Sequence, residues 1–281
     1  MLGIIGGTGL YKIDGLDIKD EKEIKTPFGL PSASLVRGEY GGREVVFLPR
    51  HGVGHSLLPS EINYRANIWA LKKLGAKKLV SISATGSLRE EINPGDICVP
   101  SQYFDHTSGK REGTFFGNGI VAHISTAKPS CESLTSDIIK AGKKIGIKIH
   151  TEKTYGCVEG PRLGTKAESL FLRNAGCDVV GMTNVPEVFL AREAQLPYCT
   201  IAIVTDYDCW LDDPSMHASV ETAMKNYVEN IGKVKNLLKK LLTDELTISP
   251  DYCTKSLAGA IVTPGELMNE SQKEIVEFLT S

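Results

Sequence analysis

The stretch that decides the fold stands at the start of the chain, where residues 1–10 read MLGIIGGTGL, an apolar run entering a glycine-rich turn. An apolar run bounded by glycine is typical of a buried β-strand. No basic segment precedes it, so we interpret Leu2–Ile5 as a first strand and not as a signal peptide. The turn lacks the spacing of a dinucleotide fingerprint, but its N–H groups and the Thr8 hydroxyl could approach an anion.

Strand-like runs and helix-periodic segments alternate along the rest of the chain. The further predicted strands are Glu44–Leu48, Lys78–Ser83, Asp96–Val99, Thr154–Val158, Asp178–Gly181 and Tyr198–Val204. The predicted helices are Glu61–Leu74, Ser133–Ile145, Thr165–Asn174, Pro186–Ala194 and Ser219–Leu241, the last with one apolar stripe that starts at Val220. This alternation predicts an α/β fold around a mostly central sheet, with no linker that divides the chain. After Thr243 we expect a less regular tail that wraps the body and ends in a helix at Glu274–Leu279.

Composition narrows the class of protein. The chain has 281 residues, 41% apolar and 23% charged, which is enough for one domain with a sizeable core. The formal net charge of −2 gives no reason to expect nucleic acid or an acidic membrane as partner, and no apolar run is long enough to span a bilayer. The seven cysteines form no Cys-x-x-Cys pair, which favours reduced thiols and a cytoplasmic protein. One disulfide, with Cys253 as a candidate, stays open.

Basic residues follow the second predicted strand. The segment 49–55 reads PRHGVGH, so Arg50 and His51 come directly after Glu44–Leu48. The planar guanidinium of arginine suits phosphate, and a histidine can add a donor. His51 and His55 could suggest a metal, but no third ligand of usual spacing lies nearby, so we expect none.

Hydroxyl groups and carboxylates stand at the ends of other strands. Ser83 ends one strand, Thr183 follows another, and Asp206 and Asp208 follow the very apolar run 198–204. Ligands bind at the carboxyl ends of strands in α/β sheets, and buried carboxylates there are seldom purely structural. An anion site beside two carboxylates suits phosphate attacking a sugar while a base departs. The segment Glu159–Arg162 could equally be a turn held by its own Glu–Arg pair.

Taken together and in this order, the motifs resemble the purine nucleoside phosphorylase/methylthioadenosine phosphorylase family over about residues 2–242. The motifs are GGTG at 6–9, TPFG at 26–29, PRHG at 49–52, NYRAN at 63–67, GSLR at 86–89, PGD at 94–96, EGPR at 159–162, MT at 182–183 and TDYD at 205–208. The resemblance implies one α/β domain over residues 1–243, whose central mixed sheet forms a distorted barrel flanked by helices. It also implies a trimer or a dimer of trimers, with residues 244–281 packing on the domain or on a neighbouring subunit.

The resemblance also implies roles for individual residues. Phosphate would lie against Thr8, Arg50, His51, Ser83, Ala84 and Thr183. The ribose would contact the backbone of Met182, and the purine would contact Asp206, Tyr207 and Asp208. Val220 and Met224 would lie near the 5' substituent, and His123 would reach into a neighbouring subunit's site. Leu163-Gly164 stands where most methylthioadenosine enzymes of the family carry Phe-Ser, so an aromatic wall and a hydroxyl of the purine pocket are missing.

The activity implied is reversible phosphorolysis of 5'-methylthioadenosine to adenine and 5-methylthioribose 1-phosphate, a pentosyltransferase reaction of purine and methionine salvage. Asp206 would protonate the leaving purine, and Asp208 would either accept from the 6-amino group or orient Asp206. Phosphate would be a co-substrate with no other cofactor. One alternative is a purine nucleoside phosphorylase acting on adenosine, inosine or methylthioinosine, although Asp206 and Val220 favour the methylthioadenosine branch. A further alternative is a nucleosidase that uses water. The last is a non-catalytic nucleoside-binding module, and the carboxylates of Asp206 and Asp208 argue against this last alternative.

Overall fold

A computed structural model describes residues 1–7, 10, 13–213 and 217–281. Its strands form one mixed sheet in the order β2-β3-β4-β1-β5-β8-β7-β6-β9. The strands are β1 Leu2–Gly6, β2 Asp17–Lys22, β3 Leu35–Tyr40, β4 Arg43–Pro49, β5 Lys78–Ser87, β6 Ile97–His106, β7 Ile149–Val158, β8 Val179–Gly181 and β9 Tyr198–Asp206. All seven strands predicted from the sequence are therefore confirmed.

The helices pack around this sheet. They are α1 Tyr64–Lys73, α2 Glu132–Lys144, α3 Lys166–Asn174, α4 Asn184–Glu193, α5 Val220–Thr243, α6 Asp251–Thr254 and α7 Glu270–Thr280, and a 3-10 turn covers Gly265–Leu267. Local sequence sets several of the boundaries. The side chain of Thr165 caps the N–H of Glu168 at the start of α3 while Glu168 returns the bond, and Asn269 and Gln272 do the same for α7.

The sheet closes on itself through β5. This strand pairs with β1 over Lys78–Ser81, with β9 over Leu79–Gly86 and with β8 at Gly86 and Ser87. Because β8, β7, β6 and β9 are paired in turn, these four strands and β5 form a closed ring. The predicted single α/β domain with a distorted barrel is confirmed.

Parallel pairing brings four strand ends to one edge of the sheet. Gly6 of β1 is in register with Pro49 of β4, and the N–H of Arg50 donates to the Gly6 carbonyl at 2.9 Å. On the other side of β1, β5 runs parallel to β9, with Gly86 in register with Asp206. All nine residues of β9 are buried, so the carboxylate of Asp206 ends a strand at the core.

The structure adds two strands that the sequence reasoning did not identify. β2 and β3 form an antiparallel extension beside β4, and every residue of β2 is exposed or half-buried. Apolar periodicity marks strands that bury a face, so a charged edge strand such as DIKDEK escapes it. β5 and β6 also run further than predicted, to Ser87 and His106.

The predicted helix at Ser219–Leu241 is present as α5, and burial changes along its length. The predicted stripe is buried only in its later turns, at Val234, Leu238 and Leu241. Val220 and Met224 are 70% and 57% exposed, so the first turns present an apolar face outward.

The tail, residues 244–281, lies on the body of the same chain. Phe278 stacks on Trp69 with ring centroids 3.9 Å apart, and the Leu279 carbonyl accepts from the Lys72 ammonium at 2.7 Å. Further along, the N–H of His123 donates to the Ala260 carbonyl at 2.9 Å, and that of Val262 donates to the Val121 carbonyl at 2.8 Å. The tail therefore supplies the backbone partners of the segment that carries His123.

The seven cysteines are all unpaired, and six of them are buried. Cys253 lies against Cys131, within hydrogen-bonding reach of its thiol, without a disulfide. Over the described ranges, none of the helices combines the length and the apolar character needed to cross a bilayer.

Candidate active site

Three hydroxyl groups meet where β5, β7 and β8 end. The Ser83 hydroxyl lies 3.2 Å from the Tyr155 hydroxyl and 3.5 Å from that of Thr183, and all three side chains are buried. Ala84 beside them is exposed, so the cluster lies just under an open surface. The sequence predicted Ser83, Ala84 and Thr183 but not Tyr155. Thr8, the remaining predicted hydroxyl, lies outside the described residues.

Arg50 is buried, with 2% of its side chain exposed, and faces Glu187. Its Nε and Nη2 donate to the two carboxylate oxygens at 2.7 and 2.9 Å, and its Nη1 donates to the Ile82 carbonyl at 2.9 Å. Nη2 also donates to the Ser81 hydroxyl. Four of the five guanidinium N–H groups are thus directed at protein atoms. The fork expected to be free for phosphate is engaged by Glu187, and among the described residues no protein atom accepts from the second Nη1 N–H.

Glu187 is the residue that the sequence reasoning most clearly missed. Besides Arg50, its Oε1 accepts from the hydroxyls of Ser81 at 2.7 Å and Tyr198 at 2.8 Å. Burial lowers the pKa of Arg50, but the charge and hydrogen bonds of Glu187 outweigh it, so the pKa stays above its ordinary value. One signal was available: Glu187 stands alone in the apolar run VPEVFL, where a carboxylate needs a buried partner.

His51 differs from the donor that the sequence suggested. Its Nδ1 lies 2.9 Å from the Leu57 carbonyl, and since a carbonyl only accepts, Nδ1 carries the proton. Burial, with a smaller effect of Arg50, lowers the pKa of His51 to about 4. The ring is therefore neutral at pH 7, and its Nε2 is an acceptor. It could accept from a protonated phosphate oxygen but could not donate to one.

Asp206 and Asp208 form a buried acidic pair at the end of β9, 8% and 7% exposed. The Oδ1 of Asp206 accepts from the N–H of Asp208 at 2.8 Å, and its Oδ2 accepts from the Thr205 hydroxyl at 2.7 Å. Burial raises the pKa of both carboxyls, and the neighbouring charge of Asp208 adds to the rise at Asp206. These conditions favour a carboxyl that can hold a proton.

Two glycines shape the surroundings of the pair. A Cβ at Gly86 would lie 2.9 Å from Asp206 Oδ1 and 3.2 Å from Asp208 Cβ, so only glycine fits there. Among the residues that the structure describes, a Cβ at Gly164 would meet only the Asp208 carboxylate, at 3.9 and 4.0 Å, and Leu163 beside it is 40% exposed. The missing aromatic wall is therefore matched by open space next to Asp208.

The other residues predicted to contact the substrate lie in different surroundings. The Tyr207 hydroxyl donates to Asn93 Oδ1 at 2.7 Å, which occupies it away from the carboxylates. Helix α5 approaches the site, because Asn226 Nδ2 donates to the Thr205 carbonyl at 2.6 Å. Val220 and Met224 lie on the exposed first turns of that helix. His123 is exposed, and among the described residues no hydrogen bond or ring contact joins its side chain to the acidic pair or the hydroxyl cluster.

The Glu159–Arg162 turn is not held by its own pair. Arg162 binds Glu168 with two hydrogen bonds at 2.8 and 2.6 Å, and Glu159 instead binds Arg111 at 3.0 Å. The described part of the chain contains no group of three or more His, Cys, Asp or Glu side chains arranged to hold a metal ion. His51 and His55 stack on each other, with centroids 4.1 Å apart.

Comparison with known proteins agrees with this architecture. The model of the phosphorylase superfamily matches residues 1–243, so the chain belongs to that superfamily. It is 44% identical over 282 residues to the S-methyl-5'-thioadenosine phosphorylase of Geobacter sulfurreducens, covering 99% of this chain and 97% of that one. The enzyme of the same name from Hyperthermus butylicus is 49% identical over 263 residues, covering 93% and 94%.

Solved structures give the same result. A methylthioadenosine phosphorylase from an antarctic soil metagenomic library superposes with a TM-score of 0.92 at 42% identity, covering 99% of this chain and 98% of that one. An adenosine/methylthioadenosine phosphorylase variant from Schistosoma mansoni, in complex with methylthioadenosine, gives 0.84 at 36% identity, covering 95% and 99%.

Proposed function

We propose that this chain catalyses the reversible phosphorolysis of 5'-methylthioadenosine to adenine and 5-methylthioribose 1-phosphate. The observation that carries the proposal is that one edge of the sheet presents hydroxyl groups at one place and buried carboxyl groups at another. Ser83 and Thr183 lie at one place on that edge, and the buried carboxyls of Asp206 and Asp208 end the neighbouring strand. The near full-length similarity to methylthioadenosine phosphorylases selects the nucleoside.

The first part of the mechanism concerns phosphate. Cleavage leaves positive charge on the ribose, and a bound phosphate would serve as nucleophile and counter-charge together. The proposed phosphate ligands are Thr8, Ala84 and the groups of Arg50, His51, Ser83 and Thr183. With one Nη1 N–H left, Arg50 would give a single bond plus its charge. Neutral His51 would accept the proton of a hydrogen phosphate and thereby orient it. Fixing phosphate below C1' makes the step effectively unimolecular.

The second part concerns the leaving purine, which needs a proton on N7. Asp206 would supply it, because burial and Asp208 raise its pKa. Asp208 would accept from the 6-amino group, and the backbone of Met182 would hold the ribose hydroxyls. Tyr207, Leu163 and Gly164 would line the purine, while Val220 and Met224 would border the 5' group.

A phosphorylase that also accepts adenosine, inosine or methylthioinosine is the second candidate. The open space beside Gly164 and the exposed Leu163 favour a tolerant purine pocket. A solved relative named adenosine/methylthioadenosine phosphorylase shows that such breadth occurs in similar proteins.

The experiment that tests the proposal is a base-release assay across methylthioadenosine, adenosine, inosine and methylthioinosine, with and without phosphate. Methylthioadenosine should be cleaved fastest, and only with phosphate present. Cleavage without phosphate would indicate a nucleosidase. Binding without cleavage of any of the four would indicate a non-catalytic binding module.

We propose a homotrimer, or a dimer of trimers, as the working assembly. The support is the exposed apolar face at the start of α5 and the exposed His123, whose side chain makes no hydrogen bond or ring contact to the site within the described part of the chain. In this assembly His123 would complete the site of a neighbouring subunit. Reduced, buried cysteines suit a cytosolic enzyme of purine and methionine salvage.

A further inference from the structure

Arg111 lies in the loop after β6, yet its side chain enters the interior and is only 2% exposed. Its Nη1 donates to the carbonyl of Met182 at 2.7 Å and to that of Val185 at 2.6 Å. Its Nη2 donates to the carbonyl of Glu159 at 2.9 Å, and its Nε donates to the Glu159 carboxylate at 3.0 Å. One guanidinium thus binds two separate stretches of backbone.

The two stretches are the continuations of neighbouring strands. β7 and β8 are parallel, with Cys157 in register with Gly181, and the segments held by Arg111 begin directly after those positions. Beyond the last ladder pair the strands no longer satisfy each other's carbonyls, and a buried carbonyl without a donor is costly. Arg111 supplies the missing donors and fixes the spacing between the two segments.

The held backbone leads directly to the hydroxyl cluster. The carbonyl of Met182 belongs to the same planar peptide as the N–H of Thr183, so fixing one fixes the other. The Thr183 hydroxyl lies 3.5 Å from that of Ser83, which in turn lies 3.2 Å from that of Tyr155. The orientation that Arg111 imposes on Met182 therefore extends to Thr183 and Ser83.

We propose that Arg111 is a positioning residue of the substrate site, which holds the backbone of Met182 and Thr183 in place for ribose and phosphate without touching either substrate. The proposal rests on the proposed function for the roles of Met182 and Thr183. It explains why a loop arginine is buried among carbonyls instead of pairing at the surface. A lysine cannot replace it, because one ammonium cannot span two backbone segments with fixed directions.

The test compares Arg111→Lys with Arg43→Lys. Arg43 makes the same kind of contact, with Nε 2.9 Å from the Leu242 carbonyl and Nη2 2.7 Å from the Asp244 carbonyl, but lies at the start of β4, away from the strand ends. Both variants lose a planar fork and keep the charge. For each, the KM for phosphate, the KM for methylthioadenosine, kcat and the Tm would be measured.

Arg111→Lys should raise both KM values by about 10- to 100-fold, while Arg43→Lys leaves them within about 2-fold. A merely structural role would lower kcat in proportion to lost folded enzyme and leave both KM values unchanged, and that result would overturn the proposal. Glu159→Gln, which removes the charge opposite Nε and one of the two oxygens that accept from Arg111 and Ser108, provides a milder variant if Arg111→Lys does not fold. It should raise both KM values by a smaller factor, and unchanged values would count against the proposal.

A second readout separates this proposal from the proposed function. The rise in Tm on adding inorganic phosphate needs no turnover. It should be seen in the wild type and in Arg43→Lys and be lost in Arg111→Lys. If the wild type failed to cleave methylthioadenosine, the proposed function would fall, while an equal phosphate-induced rise in Arg111→Lys and Arg43→Lys would overturn the role of Arg111.

Discussion

Arg50 and Glu187 form the most buried ion pair among the described residues, with side chains 2% and 1% exposed. Removing one partner of such a pair leaves an uncompensated charge. Replacing both with apolar residues is often neutral or stabilising. This difference allows the structural and the binding roles of Arg50 to be separated.

Arg50→Met should lower the free energy of unfolding by about 3–5 kcal/mol, because Glu187 is left buried without its counter-charge. It should also weaken phosphate binding by about 1.5–3 kcal/mol. The double variant Arg50→Met/Glu187→Leu should regain most of the stability but not the phosphate affinity. Denaturant unfolding and phosphate KM measure the two effects. Full recovery of the phosphate KM in the double variant would remove Arg50 from the phosphate site.

Asp206 should decide which purine is accepted. Its carboxyl can give a proton to N7 and accept from a 6-amino group, whereas a 6-oxo group would face its second oxygen at a cost of about 1–3 kcal/mol. Asp206→Asn can donate to N7 or O6, so the ratio of kcat/KM for methylthioadenosine over methylthioinosine should fall by about 10-fold or more. Asp212→Asn, at an exposed carboxylate, is the control. An unchanged ratio would exclude Asp206 from base recognition.

The raised pKa of Asp208 has a consequence for stability. Its folded-state pKa lies above its unfolded value, so the wild type loses stability as the pH rises through the folded pKa. Asp208→Asn has no such loss. The Tm of Asp208→Asn minus that of the wild type should therefore increase from pH 4 to pH 8. Asp212, whose pKa is lowered by Lys166, should give no such increase when changed to Asn. A difference that stays flat or shrinks with pH would contradict the assignment.

Single residues also show where sequence reasoning succeeds and fails. Ser83 and Asp206 could be predicted, because each follows an apolar run toward the carboxyl end of a strand, and such ends form the ligand edge of the sheet. The partner of Arg50 could not, because Glu187 is 137 positions away along the chain. The tautomer of His51 depends on a carbonyl that only the folded loop brings near.

At the scale of elements, α5 changes character along its length. Its later turns are buried, whereas Val220, Met224 and Val228 are all more than half exposed. The sequence predicted the stripe but not where its burial begins, since periodicity gives the direction of a face and not what covers it.

The start of α5 should favour an apolar 5' group. A buried methylthio group gains about 1–2 kcal/mol over a hydroxyl without a partner, so kcat/KM for methylthioadenosine should exceed that for adenosine by about 10-fold or more. Val220→His offers a partner to the hydroxyl and should reduce this ratio. Val228→His, two turns further along the same face, should not. Equal effects of the two variants would show that the 5' pocket lies elsewhere.

Sheet elements were predictable in proportion to their burial. β9, with all nine residues buried, was identified from its apolar run, but the exposed β2 was not. Barrel closure was expected from the family resemblance and not from periodicity. It depends on β5 pairing with β1, β8 and β9, and strand pairing between distant segments leaves no local pattern.

At the scale of the whole molecule, the proposed assembly makes a test by complementation possible. His123→Ala and Asp206→Ala should each be nearly inactive, since each would remove one part of every site. In mixed trimers, a subunit with intact Asp206 can meet a neighbour with intact His123, so part of the activity should return. Mixed assembly would be verified with two affinity tags. No recovery in verified mixed trimers would show that His123 does not act across the interface.

The contacts between the tail and the His123 segment bear on how the protein is made. All nine strands are complete once Asp206 has been synthesised, but the backbone partners of the His123 segment, Ala260 and Val262, come almost at the end. Chains fold from the N-terminus during synthesis, so the barrel can close while this segment still lacks its partners. A transcript truncated just after Thr243 would yield a domain with every strand and an unpaired surface loop. The synthesis of residues 260–262 therefore determines when the His123 segment gains its backbone partners.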